Sequence, residues 1–197
     1  MTGNNSRRAI FLDRDGVINE LRPDPTTGLA EGPISVKDVS LTNDAIDAIK
    51  RLRFEGYFLV GVTNQPAAAK GTIGLAEQDA IHGLVTTLLK SNDASLDDWR
   101  ICPHHPDGVV AELTMDCDCR KPRPGMLIDA AREHNLDLGE SWIIGDSDSD
   151  IEAGIAAGTR TVLIGEQNTH KRQHPERASM QVDTLTEAVD KILASSN

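Results

Sequence analysis

An α/β fold with a mainly parallel, doubly wound sheet and helices on both faces is predicted by three features of this sequence. Short apolar, strand-like runs alternate with helix-like segments from one end of the chain to the other. The strand-like runs end in polar or acidic residues, as they do where an open α/β sheet carries its ligand crevice. Finally, 197 residues with 39% apolar and 26% charged side chains suit one ordinary domain with a sizeable core.

Taken in order, residues 10–12 read as a first buried strand, entered from a polar arm at 1–8 that is expected to be flexible. Residues 43–55 read as a helix, with Ile46, Ile49 and Leu52 on one side, Asn43 or Asp44 as its cap and Gly56 as its stop. Residues 57–62 form a second strand that runs into Thr63-Asn64-Gln65. Ile81, Leu84, Val85, Leu88 and Leu89 follow helical spacing, which places a helix over 75–90. A short strand is expected at 99–102, a helix at 125–134, a strand at 142–144 ending at Gly145-Asp146, and a short helix at 150–157. A strand at 161–164 and a helix at 184–194 close the series. Residues 22–36, rich in Pro and Gly, and the polar stretch 166–179 break the rhythm. With no repeat, linker or low-complexity tract, residues 9–197 are read as one domain. No large cap domain fits between the motifs.

Composition restricts the partners. With 31 acidic and 20 basic residues, the net charge of −11 disfavours a nucleic-acid backbone as the main partner. No apolar run approaches the roughly 20 residues needed to span a bilayer, and the N-terminus lacks the apolar stretch of a secretory signal. A soluble, cytoplasmic chain without membrane or nucleic-acid partners is therefore expected, acting as a monomer on a small phosphorylated molecule.

The chemistry begins at Asp13-Arg14-Asp15-Gly16, where a buried strand delivers two carboxylates separated by one residue. Dense negative charge at a strand end needs a cation, and oxygen-only ligands on a tight loop suit Mg²⁺. Read alone, the same residues also suit an Asp-Gly turn. Thr63, Lys121 and Asp146 follow other strands or precede a helix, so a doubly wound sheet gathers them in one crevice. Together they fit phosphoryl transfer. One carboxylate attacks phosphorus, a second moves protons, and a hydroxyl and an ammonium hold the transferring oxygens, with Mg²⁺ on Asp13 and Asp146. Asp148 or Asp150 reads as a cap for the following helix.

Three cysteines within 18 residues, Cys102, Cys117 and Cys119, argue for a metal site rather than a disulfide framework. With His104 they make C-x-H-x₁₂-C-x-C, four ligands that close a tetrahedral shell as in structural Zn²⁺ sites. His105 is adjacent, but the two-residue step favours His104. Zinc would order the loop 102–119 and, through it, Arg120 and Lys121.

The order Asp-x-Asp-Gly, strand-end Thr, Lys, then Gly-Asp-x-x-x-Asp resembles the haloacid-dehalogenase-like (HAD-like) phosphatases over most of the chain. That resemblance implies Asp13 as nucleophile and Asp15 as acid/base, with the Asp15 backbone carbonyl on Mg²⁺. It also implies Thr63 and Lys121 as phosphoryl ligands and Asp146 as a metal ligand. The zinc loop, Asp13-Arg14-Asp15-Gly16-Val17-Ile18-Asn19, Thr63-Asn64-Gln65 and Cys119-Arg120-Lys121-Pro122 are closely similar to the heptose-bisphosphate phosphatases. These act on the 7-phosphate of heptose 1,7-bisphosphate in nucleotide-heptose synthesis. Histidinol-phosphate phosphatases share the motifs and are the alternative, although Gly16-Val17-Ile18-Asn19 and Cys-Pro-His-His-Pro favour the heptose group. This closer likeness implies Asn64, Gln65 and Arg120 as substrate ligands and Arg22 at the entrance. The loop 66–71 and Ser147 depart from the group's usual residues, both near the expected sugar. A phospho-accepting receiver domain also uses acids, a Thr and a Lys, but its acidic pair is adjacent and it has no zinc loop.

Overall fold

A computed structural model describes residues 6–24, 28–165 and 171–195. Its central sheet has six parallel strands. In chain order the elements are β1 (Ala9–Leu12), a two-stranded antiparallel hairpin of β2 (Arg22–Pro23) and β3 (Ala30–Glu31), α1 (Ala45–Phe54) and β4 (Phe58–Asn64). They continue with α2 (Leu75–Ser91), β5 (Asp98–Cys102), α3 (Gly125–His134), β6 (Trp142–Gly145) and α4 (Asp148–Ala157). The last three are β7 (Arg160–Ile164), β8 (Met180–Val182) and α5 (Leu185–Ala194). The sheet order is β5-β4-β1-β6-β7-β8. From central β1 the chain builds outward first on one side, through β4 and β5. It then crosses to the other side for β6, β7 and β8, so the switch point lies at the carboxyl end of β1.

Period-two alternation divides the core into two layers. Ile10 and Leu12 of β1 face the layer covered by α1, α2 and α5, with Ile49, Leu52, Val85, Leu89, Val189 and Ile192. Ala9 and Phe11 face the other layer, with Leu127 and Ala130 of α3 and Ala153 of α4. Both layers are fully covered, which explains why β1 is apolar at every position.

The helix at 125–134 falls where the sequence places it, and the other expected helices differ by a few residues at their ends. Asp44 does not cap its own helix. Its carboxylate accepts from the Thr186 N–H at 2.8 Å, at the start of α5, while Thr184 caps α5 through the Glu187 N–H. The second strand extends past residue 62, because β5 pairs with Thr63 and Asn64 as well. Two elements were not anticipated. Met180–Val182 forms an edge strand just after the polar break at 166–179, too short to show a period, and the hairpin β2–β3 interrupts the Pro/Gly-rich stretch. Of the polar stretch, residues 166–170 lie outside the described residues, as do 1–5 of the expected arm. Arg7 is fastened down, with its N–H on the Asn135 carbonyl and its guanidinium over the Phe58 ring. Among the described residues, no helix is long and apolar enough to cross a membrane.

Candidate active site

The carboxyl ends of β1, β4 and β6 open into a crevice of about 580 Å³, within the range of small-molecule sites. Asp13, Asp15, Thr63, Asn64, Gln65, Arg120, Lys121 and Asp146 all line it, although they come from four separate stretches of chain. Asp13 follows β1 directly, and its N–H continues the ladder onto the Ile144 carbonyl at 3.0 Å. Gly16 closes the turn behind it at φ +86°, where a side chain would be strained. A β-carbon there would also lie 2.5 Å from the Asp146 carboxylate, so the turn has to be glycine.

Lys121 is the electrostatic centre. Its ammonium is buried and donates to Asp150 at 2.5 Å and to the Val62 carbonyl at 2.7 Å, and it lies 2.9 Å from Asp13 Oδ1. Burial works to lower its pKa, but the Asp13 and Asp150 charges outweigh that and hold the lysine protonated. Asn64 fixes its backbone from both sides, donating to the Lys121 carbonyl and accepting from its N–H. Asn64, expected to touch substrate, therefore works in this geometry by setting Lys121.

Asp13, Asp146 and Asp150 bring one carboxylate oxygen each within 4.8 Å of one another, a cluster suited to a cation. Burial, together with the charges of Asp150, Asp146 and Asp15, pushes the Asp13 carboxyl up to about 8 against the pull of Lys121. Burial and Asp150 push Asp146 up to about 6. With Asp13 and Asp146 both pushed up beside Lys121, the cluster is short of positive charge, and a divalent oxygen-seeking ion would supply it. Asp150 was read as a helix cap, and it does serve as one: the Ser147 N–H and hydroxyl both reach its Oδ2. Its other oxygen takes Lys121, a role that no local pattern separates from capping.

Asp15 turns its carboxylate away from that cluster. Fully buried Arg14 grips it as a fork, Nε to Oδ1 at 3.0 Å and Nη2 to Oδ2 at 2.9 Å. Asn19 and Gln65 donate to it at 3.0 and 2.8 Å. Gln65 also donates to the Thr63 hydroxyl at 2.8 Å, tying the expected proton-transfer residue to the expected phosphoryl ligand. Arg14 and Asn19 stand in the sequence motif, but neither was assigned a role from the sequence. Gly32 packs so close that a β-carbon would fall 2.4 Å from Asp15 Oδ2, so the segment after the β2–β3 hairpin roofs this carboxylate. Asp24, Leu29 and Glu31 of the hairpin region line the crevice, but Arg22 does not. Its guanidinium reaches the other way, to the Asp38 carbonyl and the Ser40 hydroxyl, and pins the base of the hairpin. The placement of Arg22 at the entrance therefore does not match the geometry.

Beside the crevice, Cys102, His104, Cys117 and Cys119 converge. The sulfur–sulfur separations are 3.1, 3.3 and 3.6 Å, and His104 Nδ1 lies 3.4 and 3.8 Å from Cys119 and Cys102. A tetrahedron with Zn–S near 2.3 Å and Zn–N near 2.0 Å has edges of about 3.8 Å between sulfurs and about 3.5 Å from sulfur to nitrogen, so the sulfurs would spread by a few tenths of an ångström to seat the ion. Burial and the two neighbouring sulfurs push the Cys119 thiol far up, and burial also raises Cys102, whereas at Cys117 hydrogen bonds from the other two sulfurs and the backbone outweigh burial and bring the thiol down. His105 is directed elsewhere, its Nδ1 accepting from the Asp107 N–H. Arg120 donates to the His104 carbonyl at 3.2 Å, which links the loop to the crevice.

Residues 118–188 match the HAD-hydrolase-like family model. The chain is 36% identical over 157 residues to a D-glycero-beta-D-manno-heptose-1,7-bisphosphate 7-phosphatase of Yersinia pestis, covering 79% of both chains. It is 36% identical over 154 residues to a D-glycero-alpha-D-manno-heptose-1,7-bisphosphate 7-phosphatase of Photorhabdus laumondii, covering 78% of this chain and 80% of that one. Among solved structures, it resembles a D,D-heptose 1,7-bisphosphate phosphatase from B. bronchiseptica complexed with magnesium and phosphate. That likeness has a TM-score of 0.76 and 30% identity, over 95% of this chain and 99% of the other.

Proposed function

Because the chain belongs to the heptose-1,7-bisphosphate 7-phosphatase family of HAD-like hydrolases, we propose that it removes the 7-phosphate of D-glycero-D-manno-heptose 1,7-bisphosphate. The observation that carries this reading is the buried Asp13 carboxylate at the switch point, fixed through Oδ1 by the Arg14 N–H and Lys121. Asp13 attacks phosphorus and forms an aspartyl-phosphate, and water then cleaves it. Asp15, locked by Arg14, Asn19 and Gln65, gives a proton to the leaving oxygen and later takes one from water. Lys121 and Thr63 hold the transferring oxygens. Mg²⁺, held by Asp13, Asp146 and the Asp15 backbone carbonyl beside Asp150, would neutralise the carboxylates and the phosphoryl charge.

Zinc on Cys102, His104, Cys117 and Cys119 would be structural, since four protein ligands leave no open position. Its task is to hold the loop from which Arg120 and Lys121 emerge, and Arg120, on the crevice wall, meets the substrate. The protein would act as a soluble cytoplasmic monomer in nucleotide-heptose synthesis.

The test is phosphate release from both anomers of heptose 1,7-bisphosphate and from histidinol phosphate, each with Mg²⁺. We expect kcat/KM for at least one heptose anomer to exceed that for histidinol phosphate by about a hundredfold, roughly 2.7 kcal/mol of transition-state discrimination. A preference for histidinol phosphate overturns the substrate assignment while leaving the chemistry at Asp13 in place.

A further inference from the structure

Lys171 lines the crevice together with Asp13, Thr63 and Asp146, yet no step assigned above uses it. We propose that Lys171 binds an anionic oxygen of the phosphorylated substrate, in exchange for Glu31. This inference rests on the phosphomonoesterase reading.

Three observations place it there. First, the lysine stands on a fastened segment. The Lys171 carbonyl accepts the Asp148 N–H at 3.0 Å, and the Asp148 carboxylate takes the N–H groups of Gln173 and His174. Arg172 beside it donates to the Asp146 and Gly165 carbonyls. These bonds lock the lysine backbone against the start of α4 and the Asp146 turn, so its amine reaches into the crevice from a fixed base. Second, the ammonium is held at 3.0 Å by Glu31, the last residue of β3, and Glu31 lines the same crevice. The lysine side chain is 26% exposed and that of Glu31 43%, so solvent screens the pair and Glu31 is a weak holder. A phosphate oxygen offers a stronger, charge-assisted partner. Third, the exchange need not lift the hairpin. Gly32, the next residue, is seated on Asp15, so the Glu31 side chain can turn out while the backbone stays. Burial tends to lower the lysine pKa, but Asp146, Glu31 and Asp13 outweigh this and keep it cationic.

The two partners of this bridge should respond in opposite directions, which a merely structural clip would not do. The readout is inorganic phosphate binding to the full-length protein with Mg²⁺, by titration calorimetry. We expect Lys171→Met to weaken phosphate by about tenfold or more, Lys171→Arg to keep most of the affinity, and Glu31→Gln to tighten it severalfold. An unchanged Lys171→Met, or both removals shifting affinity the same way, overturns the proposal. Hydrolysis of p-nitrophenyl phosphate by the same samples separates the two readings. A protein that binds phosphate through Lys171 but cleaves no phosphomonoester refutes the phosphatase reading and keeps the anion site.

Discussion

Replacing Asp150 tests whether the buried charge network, rather than helix capping alone, holds the site together. Lys121 is 2% exposed, donates to Asp150 and to the Val62 carbonyl, and lies 2.9 Å from Asp13 Oδ1. Asp150→Asn keeps the shape and an acceptor for the charged ammonium but removes the ion-pair part of the bond, which takes it from the upper to the lower end of the roughly 1.5–3 kcal/mol of bonds to charged groups. The loss of about 1–1.5 kcal/mol is partly offset, because Asp150 is also one of the charges that push Asp13 and Asp146 upward. We therefore expect Asp150→Asn to cost about 1 kcal/mol. Asp150→Ala leaves a buried ammonium short of a partner, about 3–5 kcal/mol, and removes the capping-box side chain of α4, about 1 kcal/mol more. The assay is urea unfolding of the metal-free protein at pH 7, reading the midpoint with the m-value unchanged. The reasoning is refuted if the alanine variant lies within about 1 kcal/mol of wild type, or if asparagine costs as much as alanine.

Asp13→Asn should abolish turnover, with a loss of at least about 10³-fold in kcat, while the chain remains folded; near-normal rates would remove Asp13 as nucleophile. The same variant reports on pH. Asp13 and Asp146 are raised in the folded chain, to about 8 and about 6, so the stability they contribute is fully present below the unfolded carboxylate value and is lost as pH rises through those values. In a chelator, the melting temperature of Asp13→Asn minus that of wild type should therefore rise between pH 5 and 8, and a difference that falls over this range contradicts the burial argument. Adding Mg²⁺ should raise the wild-type melting temperature more at pH 8 than at pH 5, because the ion binds the ionised carboxylates. Cys117→Ser should lose bound zinc by elemental analysis and about 3 kcal/mol of stability, a drop of roughly 6–12 °C, together with activity; a stable, zinc-free, fully active variant contradicts the zinc assignment. Gly16→Ala should cost about 1–2 kcal/mol for its positive φ and also displace Asp146, seen as weaker Mg²⁺ binding in calorimetry.

The parts of the site that a sequence displays are those whose chemistry is local. Asp13 and Asp15 are two residues apart after a four-residue apolar strand, and the zinc ligands fall in two tight pairs, so spacing alone exposes them. Thr63, Lys121 and Asp146 were legible once the alternating pattern fixed a parallel sheet, since that fold sends strand ends to one crevice. Asn64 and Gln65 were picked out beside Thr63, but their partners were not: one aligns Lys121 and the other joins Thr63 to Asp15. Arg22 shows the limit of adjacency, since a loop beside the site does not dictate which way a guanidinium points.

By itself, the sequence determined the doubly wound sheet, the acidic pair at the end of its first strand and the paired Cys/His loop, because periodicity and short-range spacing are written residue by residue. Only the tertiary structure decided that Asp150 shares Lys121 with Asp13 and that buried Arg14 forks Asp15. It alone set Glu31 and Lys171 face to face across the crevice, 140 positions apart in the sequence. The pairings of Asp150 with Lys121 and of Glu31 with Lys171 are set by the crossing of the chain from β5 on one side of β1 to β6 on the other, and the fork on Asp15 by the price of burying Arg14, neither of which leaves a local mark.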